Sequence, residues 1–162
     1  MVRHRYLAAA VTAVFAASVA GGVALATPAS GVTPTNLAAG ALAPVNILVK
    51  TDGWMNQLRT KGDSTVAVVE NRLAPGATFG WHSHPGPSVI VVKAGEVTFY
   101  SGDDPGCSPV RYATGQALVD PGNVVHVGRN EGSVEAIVIV TRFLPAGAVA
   151  RNDEPANPAC PF

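Results

Sequence analysis

Three of the chain's four histidines stand in its second half, at His82, His84 and His126. In a β-strand, side chains two residues apart point to the same face, so His82 and His84 would present their imidazoles side by side. His126 lies in a β-branched stretch, Val124–Val127, which can bring a third imidazole inward from another strand. Imidazole binds zinc, copper, iron and nickel, and three protein ligands leave coordination positions open. The pattern predicts one divalent metal ion on these histidines, with iron, zinc, manganese, nickel and copper all open as its identity.

Glycines and a proline frame the histidines at regular spacings. The chain contains two such stretches, Gly76-x5-His82-x-His84-x10-Gly95 and Gly115-x5-Pro121-x-Asn123-x2-His126-x3-Asn130. They resemble the two motifs of the cupin superfamily in order and spacing, and the resemblance extends over about Asn46 to Phe143. It implies an all-β fold with a single cupin β-barrel, of the double-stranded β-helix or jelly-roll type.

Two positions depart from the pattern that the resemblance implies. Ser88 stands seven residues before Gly95, where the family carries a glutamate ligand, and Asn123 stands where a glycine is usual. Asparagine tolerates a left-handed backbone conformation, so the turn within the second motif can still form. Serine carries no charge, so three neutral imidazoles would leave a divalent ion its full charge. Such a site should favour an anionic or bidentate oxygen ligand.

The resemblance leaves the function open between three classes. Some cupins with three histidines and no glutamate are dioxygenases, so a non-haem, metal-dependent dioxygenase acting on a small molecule is one expectation. The alternatives are a non-catalytic cupin that binds a small molecule and a scaffold whose metal site is a relic. No general acid or base is evident: Glu96 should be solvated at a turn, and the partners of Glu70 cannot be placed. Tyr100 and Tyr112 could hydrogen-bond a ligand.

Short β-branched runs punctuated by glycine and proline indicate many strands and turns, as in a sandwich or barrel. The expected strands are Asn46–Lys50, Thr65–Leu73, Ser88–Val92, Val97–Tyr100, Ala117–Asp120, Val124–Val127 and Val134–Phe143. We expect a hairpin between the runs on either side of Gly95, and allow one short helix around Trp54–Thr60. Phe79 and Trp81 have opposite parity to the histidine pair, so they should pack on the other face, as core or as a subunit contact in a homodimer.

The N-terminus has the design of a secretory signal peptide over residues 1–26. Arg3 and Arg5 precede an uncharged apolar run that ends in Ala24-Leu25-Ala26. An uncleaved membrane anchor is the alternative, because the run is about 20 residues long. Beyond it we expect a flexible segment over residues 27–44, the cupin domain over 45–143, and a C-terminal tail over 144–162. The exported chain would be secreted and, after cleavage, would not contact the membrane.

Two cysteines, Cys107 and Cys160, both lie in loop-like contexts. In an exported protein they predict a disulfide that tethers the tail, with two free buried thiols as the alternative. The whole chain is neutral, with 11 basic and 11 acidic residues. It has no basic stripe, which argues against a nucleic-acid partner. The expected partner is a small-molecule ligand or substrate.

Overall fold

The structure, a computed structural model, describes residues 26–160 and Phe162. The expected signal peptide, apart from Ala26, lies outside the described residues. Twelve strands are present in the described part: β1 Ser30–Leu42, β2 Asn46–Thr51, β3 Trp54–Arg59, β4 Ser64–Thr78, β5 His82–Ser83, β6 Ser88–Ala94, β7 Glu96–Ser101, β8 Val110–Ala113, β9 Ala117–Asp120, β10 His126–Arg129, β11 Ala136–Pro145 and β12 Asn152–Asp153. Within this part of the chain, no helix has the length and apolar character needed to span a membrane.

Ten of the strands form one antiparallel sheet that folds into two facing halves. One half has the order β1-β4-β11-β6-β9, and the other has the order β12-β5-β10-β7-β8. The halves meet where Arg129 of β10 pairs with Thr78 at the end of β4. Alternate residues of β6 and β11 face inward, and Val92 and Val138 are fully buried in the core between the halves. The prediction of an all-β single barrel is confirmed.

The segment 27–44, expected to be flexible, instead contributes β1. Ser30–Leu42 pairs antiparallel with β4 along most of its length. Its side chains are nearly all exposed, so the strand is held by backbone pairing rather than by an apolar face. The composition of this segment did not indicate a strand. A free sheet edge offers backbone hydrogen bonds to a sequence of almost any composition.

The helix allowed around Trp54–Thr60 is also wrong, because Trp54–Arg59 forms β3. It pairs with β2 across the two-residue turn Asp52-Gly53, where Gly53 has a φ of +74°. An Asp-Gly pair between two short runs is a hairpin signal. The turn chemistry therefore decides the structure of this stretch.

The hairpin expected at Gly95 does not form. β6 pairs with β11 and β9, whereas β7 pairs with β10 and β8. Gly95 has a φ of +73°, and a Cβ there would lie 2.9 Å from the Cα of Ala136. The residue makes a corner at which the chain passes from one half of the barrel to the other. A one-residue link is too short for a hairpin loop, which needs at least two residues.

The C-terminal tail returns to the barrel beside the histidine pair. β12 pairs with β5, and Glu154 accepts a hydrogen bond from the Ser83 hydroxyl at 2.7 Å. Cys160 is joined to Cys107 by a disulfide with a Cα–Cα distance of 5.3 Å. The tail thus closes one end of the barrel, and it takes part in the sheet that was expected to end at residue 143.

Candidate metal centre

The three histidines come together at one end of the barrel interior. His82 begins β5, His84 follows that strand, and His126 begins β10 directly opposite His82 in the ladder. The ring centroids lie 4.3 Å apart for His82 and His126, 4.7 Å for His82 and His84, and 5.4 Å for His84 and His126. All three side chains are buried, and their candidate ligand atoms lie within 4.8 Å of one another.

Each imidazole is held through its Nδ1 atom by a main-chain carbonyl oxygen. The partners are Gly80 for His82 at 2.8 Å, Ala150 for His84 at 2.6 Å and Val124 for His126 at 2.9 Å. A carbonyl only accepts, so each Nδ1 carries the proton and each Nε2 keeps a free lone pair. This is the arrangement in which an outer hydrogen bond orients a metal-ligating histidine. The three residues therefore fit a divalent ion.

Burial keeps the imidazoles of His82 and His84 in the neutral form that can ligate a metal. It lowers the pKa of His82 from 6.5 to about 2, and the nearby His126 adds to the shift. Burial also lowers the pKa of His84, against the opposing effect of its hydrogen bond to Ala150.

This burial predicts that the metal-free protein loses stability in mild acid. In the unfolded chain His82 takes up a proton below pH 6.5, whereas in the folded chain the His82 imidazole stays neutral down to about pH 2. His82 should therefore make the free energy of unfolding fall by about 1.4 kcal/mol per pH unit as the pH decreases from 6.5 to 5. Urea unfolding in the presence of a chelator measures this slope. His82→Asn should reduce this slope by about 1.4 kcal/mol per pH unit, which is the contribution of one proton. An unchanged slope would contradict the prediction.

A narrow and mostly apolar cavity lies against the histidines. Its lining consists of the three histidines together with Phe79, Ser88, Ile90, Phe99, Val138, Val140 and Arg142. Ser88 is fully buried in this wall, and its hydroxyl has no hydrogen-bond partner. The position at which the family resemblance implies a glutamate therefore does face the histidines.

The expectation that Phe79 lies on the face away from the histidines is wrong. It lines the cavity, with its ring centroid 6.2 Å from that of His82. Gly80, with a φ of +69°, interrupts the strand alternation between these residues. Trp81 follows the interruption and does point away, into a cluster with Tyr100 and other residues beneath the C-terminal tail.

The left-handed residue of the second motif is Gly122, not Asn123. Gly122 has a φ of +100°, and a Cβ there would lie 2.6 Å from the carbonyl oxygen of Gly86. Asn123 is not among the residues with positive φ. The glycine that the turn requires is thus present one residue earlier than the family pattern implies.

The other candidates from the sequence lie away from the cavity. Glu70 forms ion pairs with Arg72 and Lys93, and Glu96 is exposed. The Tyr100 hydroxyl donates a hydrogen bond to Glu131, and the Tyr112 ring packs edge-on against Phe99. None of these four candidates lines the cavity.

Sequence reasoning overlooked two charged residues near the histidines. Arg142 lines the cavity from β11, and the buried Asp120 ends β9. Strand alternation could have predicted that Arg142 faces inward, because it continues the inward-facing series of Val138 and Val140 at a spacing of two residues. The surroundings of Asp120 depend on the pairing between strands, which the sequence alone does not reveal.

Comparison with known families agrees with this architecture. A family model for the cupin domain matches residues 69–142, a range that includes all three histidines. Residues 69–142 form a cupin domain. This cupin is similar in structure to the polyketide cyclase RemF from Streptomyces resistomycificus, with a TM-score of 0.53 and 16% identity over 82% of this chain and 79% of that one.

Two further solved structures resemble this cupin over shorter stretches. One is a cupin 2 conserved barrel domain protein from Leptotrichia buccalis, with a TM-score of 0.46 and 16% identity over 68% of this chain and 40% of that one. The other is the DMSP lyase DddQ from Ruegeria pomeroyi, with a TM-score of 0.46 and 20% identity over 54% of this chain and 42% of that one. The chain thus spans less than half the length of these two proteins. No curated protein sequence matches it significantly.

Proposed function

We propose that this cupin binds one divalent metal ion through His82, His84 and His126 and acts as a metal-dependent dioxygenase on a small molecule. One observation carries the metal-binding part: three buried imidazoles converge while each is held in the tautomer that leaves Nε2 free. Bound there, the ion would supply open coordination positions and Lewis acidity. The dioxygenase part rests on the resemblance to cupins with three histidines and no glutamate at the position of Ser88.

The cavity wall favours a small anionic substrate. Arg142 is largely buried, and its Nε has no hydrogen-bond partner. Although burial lowers the pKa of Arg142, an arginine stays protonated in proteins. A guanidinium with a buried, unsatisfied N–H attracts a carboxylate or an enolate, to which it can donate charge-assisted hydrogen bonds. The Ser88 hydroxyl can donate another hydrogen bond, and the apolar side chains keep bulk water away from the bound molecule.

Oxygen uptake by the iron-loaded protein tests this function. We expect uptake with at least one member of a panel of small carboxylates, thiols and diketones. Arg142→Met should weaken the apparent affinity for an anionic member by about 10- to 100-fold, because a charge-assisted hydrogen bond is lost. Arg72→Met is the matched control, because Arg72 is half-exposed and forms an ion pair with Glu135 outside the cavity. Equal effects of the two substitutions would argue against a role for Arg142.

A non-catalytic binding role is the second candidate, and one observation favours it. Apart from the three histidines assigned to the metal, the described residues that line the cavity include no histidine, aspartate, glutamate, lysine, cysteine or tyrosine that could serve as a general acid or base. A cupin of this kind would hold the anion without transforming it. Stoichiometric metal together with anion binding, but without oxygen uptake for any panel member, would support this role over the dioxygenase.

We further propose that the chain is exported and cleaved after Ala26. The support is the basic start, the uncharged apolar run and the Ala24-Leu25-Ala26 ending, together with a disulfide of the kind that persists in oxidising compartments. N-terminal sequencing of protein recovered from the culture medium should begin at Thr27. An intact Met1 in the membrane fraction would instead support the anchor.

A further inference from the structure

A carboxylate lies beside the position from which the family's glutamate is missing. Asp120 is the last residue of β9, and it pairs directly with Ser88, the first residue of β6. Its side chain is only 3% exposed, although an ionised carboxylate is costly to bury without a partner. The charge that Ser88 cannot supply is therefore available one strand away.

The two oxygens of Asp120 have different surroundings. Oδ1 accepts a hydrogen bond from the Gly122 amide at 2.8 Å, which fixes the orientation of the side chain. Oδ2 is buried and accepts no hydrogen bond. Within the described chain, the basic groups that lie within 4.0 Å of this carboxylate are His84 and His126. Of these two histidines it is His84 that the free oxygen Oδ2 faces, while Arg142 acts on the carboxylate only from beyond 4.0 Å.

The free oxygen faces an atom that has no proton to donate. Asp120 Oδ2 lies 3.6 Å from His84 Nε2. Because the Nδ1 of His84 donates to the Ala150 carbonyl, the neutral ring presents only a lone pair at Nε2. Two buried acceptors that face each other repel unless a positive centre lies between them. Two ligand atoms bound to one ion at 2.0–2.1 Å lie about 2.9 Å apart at a right angle and about 3.4 Å apart at the tetrahedral angle, and the separation of 3.6 Å found here is close to this range.

We propose that Asp120 is the carboxylate ligand of the metal centre and replaces the glutamate that the family carries at the position of Ser88. This inference rests on the proposed function, because it requires a metal ion on the three histidines. The ligand set then becomes three imidazoles and one carboxylate, as in the family pattern, with the carboxylate supplied by β9 instead of β6. The carboxylate cancels one of the two positive charges of the ion, whereas three neutral histidines alone would cancel neither.

Titration with Co²⁺ tests the proposal, since its visible absorption reports coordination as well as affinity. The variants are Asp120→Asn, which preserves size, and Ser88→Ala, which serves as the matched control in the paired position. We expect Asp120→Asn to weaken Co²⁺ binding by at least tenfold and to change the visible spectrum, whereas Ser88→Ala should change neither. X-ray absorption of the wild-type Co²⁺ protein should include an oxygen ligand that is lost in Asp120→Asn.

A carboxylate restored at the family's position provides a second and independent test. In the Asp120→Asn background, Ser88→Glu should recover at least tenfold in Co²⁺ affinity. In the otherwise wild-type protein the same substitution should gain less than about threefold, because a carboxylate already binds. A gain of tenfold or more in the otherwise wild-type protein would overturn the assignment, and this arm does not depend on whether Asp120→Asn folds.

The outcomes separate this inference from the proposed function. If the wild type binds no Co²⁺, the metal-binding function fails, and the inference fails with it. If the wild type binds one ion and Asp120→Asn keeps its affinity within threefold, the three-histidine site stands and the role of Asp120 is overturned. A weakened affinity with an unchanged spectrum would make Asp120 a positioning residue and would also overturn the assignment as a ligand.

Discussion

Replacing His82 and His126 together by alanine should abolish stoichiometric metal binding. The two imidazoles lie opposite each other in the barrel ladder, and their loss leaves His84 as the one histidine at the site. We expect affinity to fall by at least about a thousandfold, more than the 10- to 100-fold cost of losing a hydrogen bond from outside the ligand set. Elemental analysis and competition with a chromogenic chelator measure the loss.

The control for this experiment is a variant that changes the cavity wall without removing a histidine. Ser88→Ala removes a buried hydroxyl that has no hydrogen-bond partner, so metal content should stay at one ion per chain. Circular dichroism and thermal unfolding should show that both variants retain the barrel. If stoichiometric metal persists in the double histidine variant, the ion lies elsewhere and the assignment of the site is wrong.

Removing the disulfide should produce the largest loss of stability. The bridge between Cys107 and Cys160 closes a loop with a sequence separation of 53. Loop-closure entropy for that length corresponds to about 4 kcal/mol, so the double Cys→Ala variant should lose about that much free energy of unfolding. Urea unfolding measures the change, and wild-type protein with its disulfide reduced should show a similar loss.

The disulfide also matters for the candidate metal centre, because the tail that it tethers holds one of the histidines. The Ala150 carbonyl accepts the hydrogen bond from His84, and β12 continues the sheet beside His82. We therefore expect the double cysteine variant to bind metal more weakly than the wild type. A change in the free energy of unfolding of less than about 1 kcal/mol would contradict the predicted loss of stability. An unchanged metal affinity would show that the sheet and hydrogen-bond contacts hold the tail without the bridge.

Patterns local in the chain predicted much of the fold and of the candidate site. The parity of His82 and His84 follows from the geometry of one strand, and the barrel was implied by the resemblance of the two motifs to those of the cupin superfamily. Strand alternation predicted the wrong direction of a side chain or of the chain where a single residue leaves the extended conformation. Gly80 brings Phe79 into the cavity, and Gly95 turns the expected hairpin into a corner between the halves. The backbone angles of these glycines depend on what packs against them, which the sequence does not state.

By itself, the sequence determined which residues could form a metal site, that the chain folds as a barrel of short strands, and which cysteines were available to pair. The tertiary structure decided what surrounds the histidines. The carbonyl that orients His84 comes from 66 residues later in the chain, and Asp120 meets Ser88 through cross-strand register. Strand alternation extends only to near neighbours in the sequence, and a contact between distant segments is set by the pairing of the whole sheet. Composition also missed β1, because its pairing with β4 uses backbone groups that every residue type except proline carries in full.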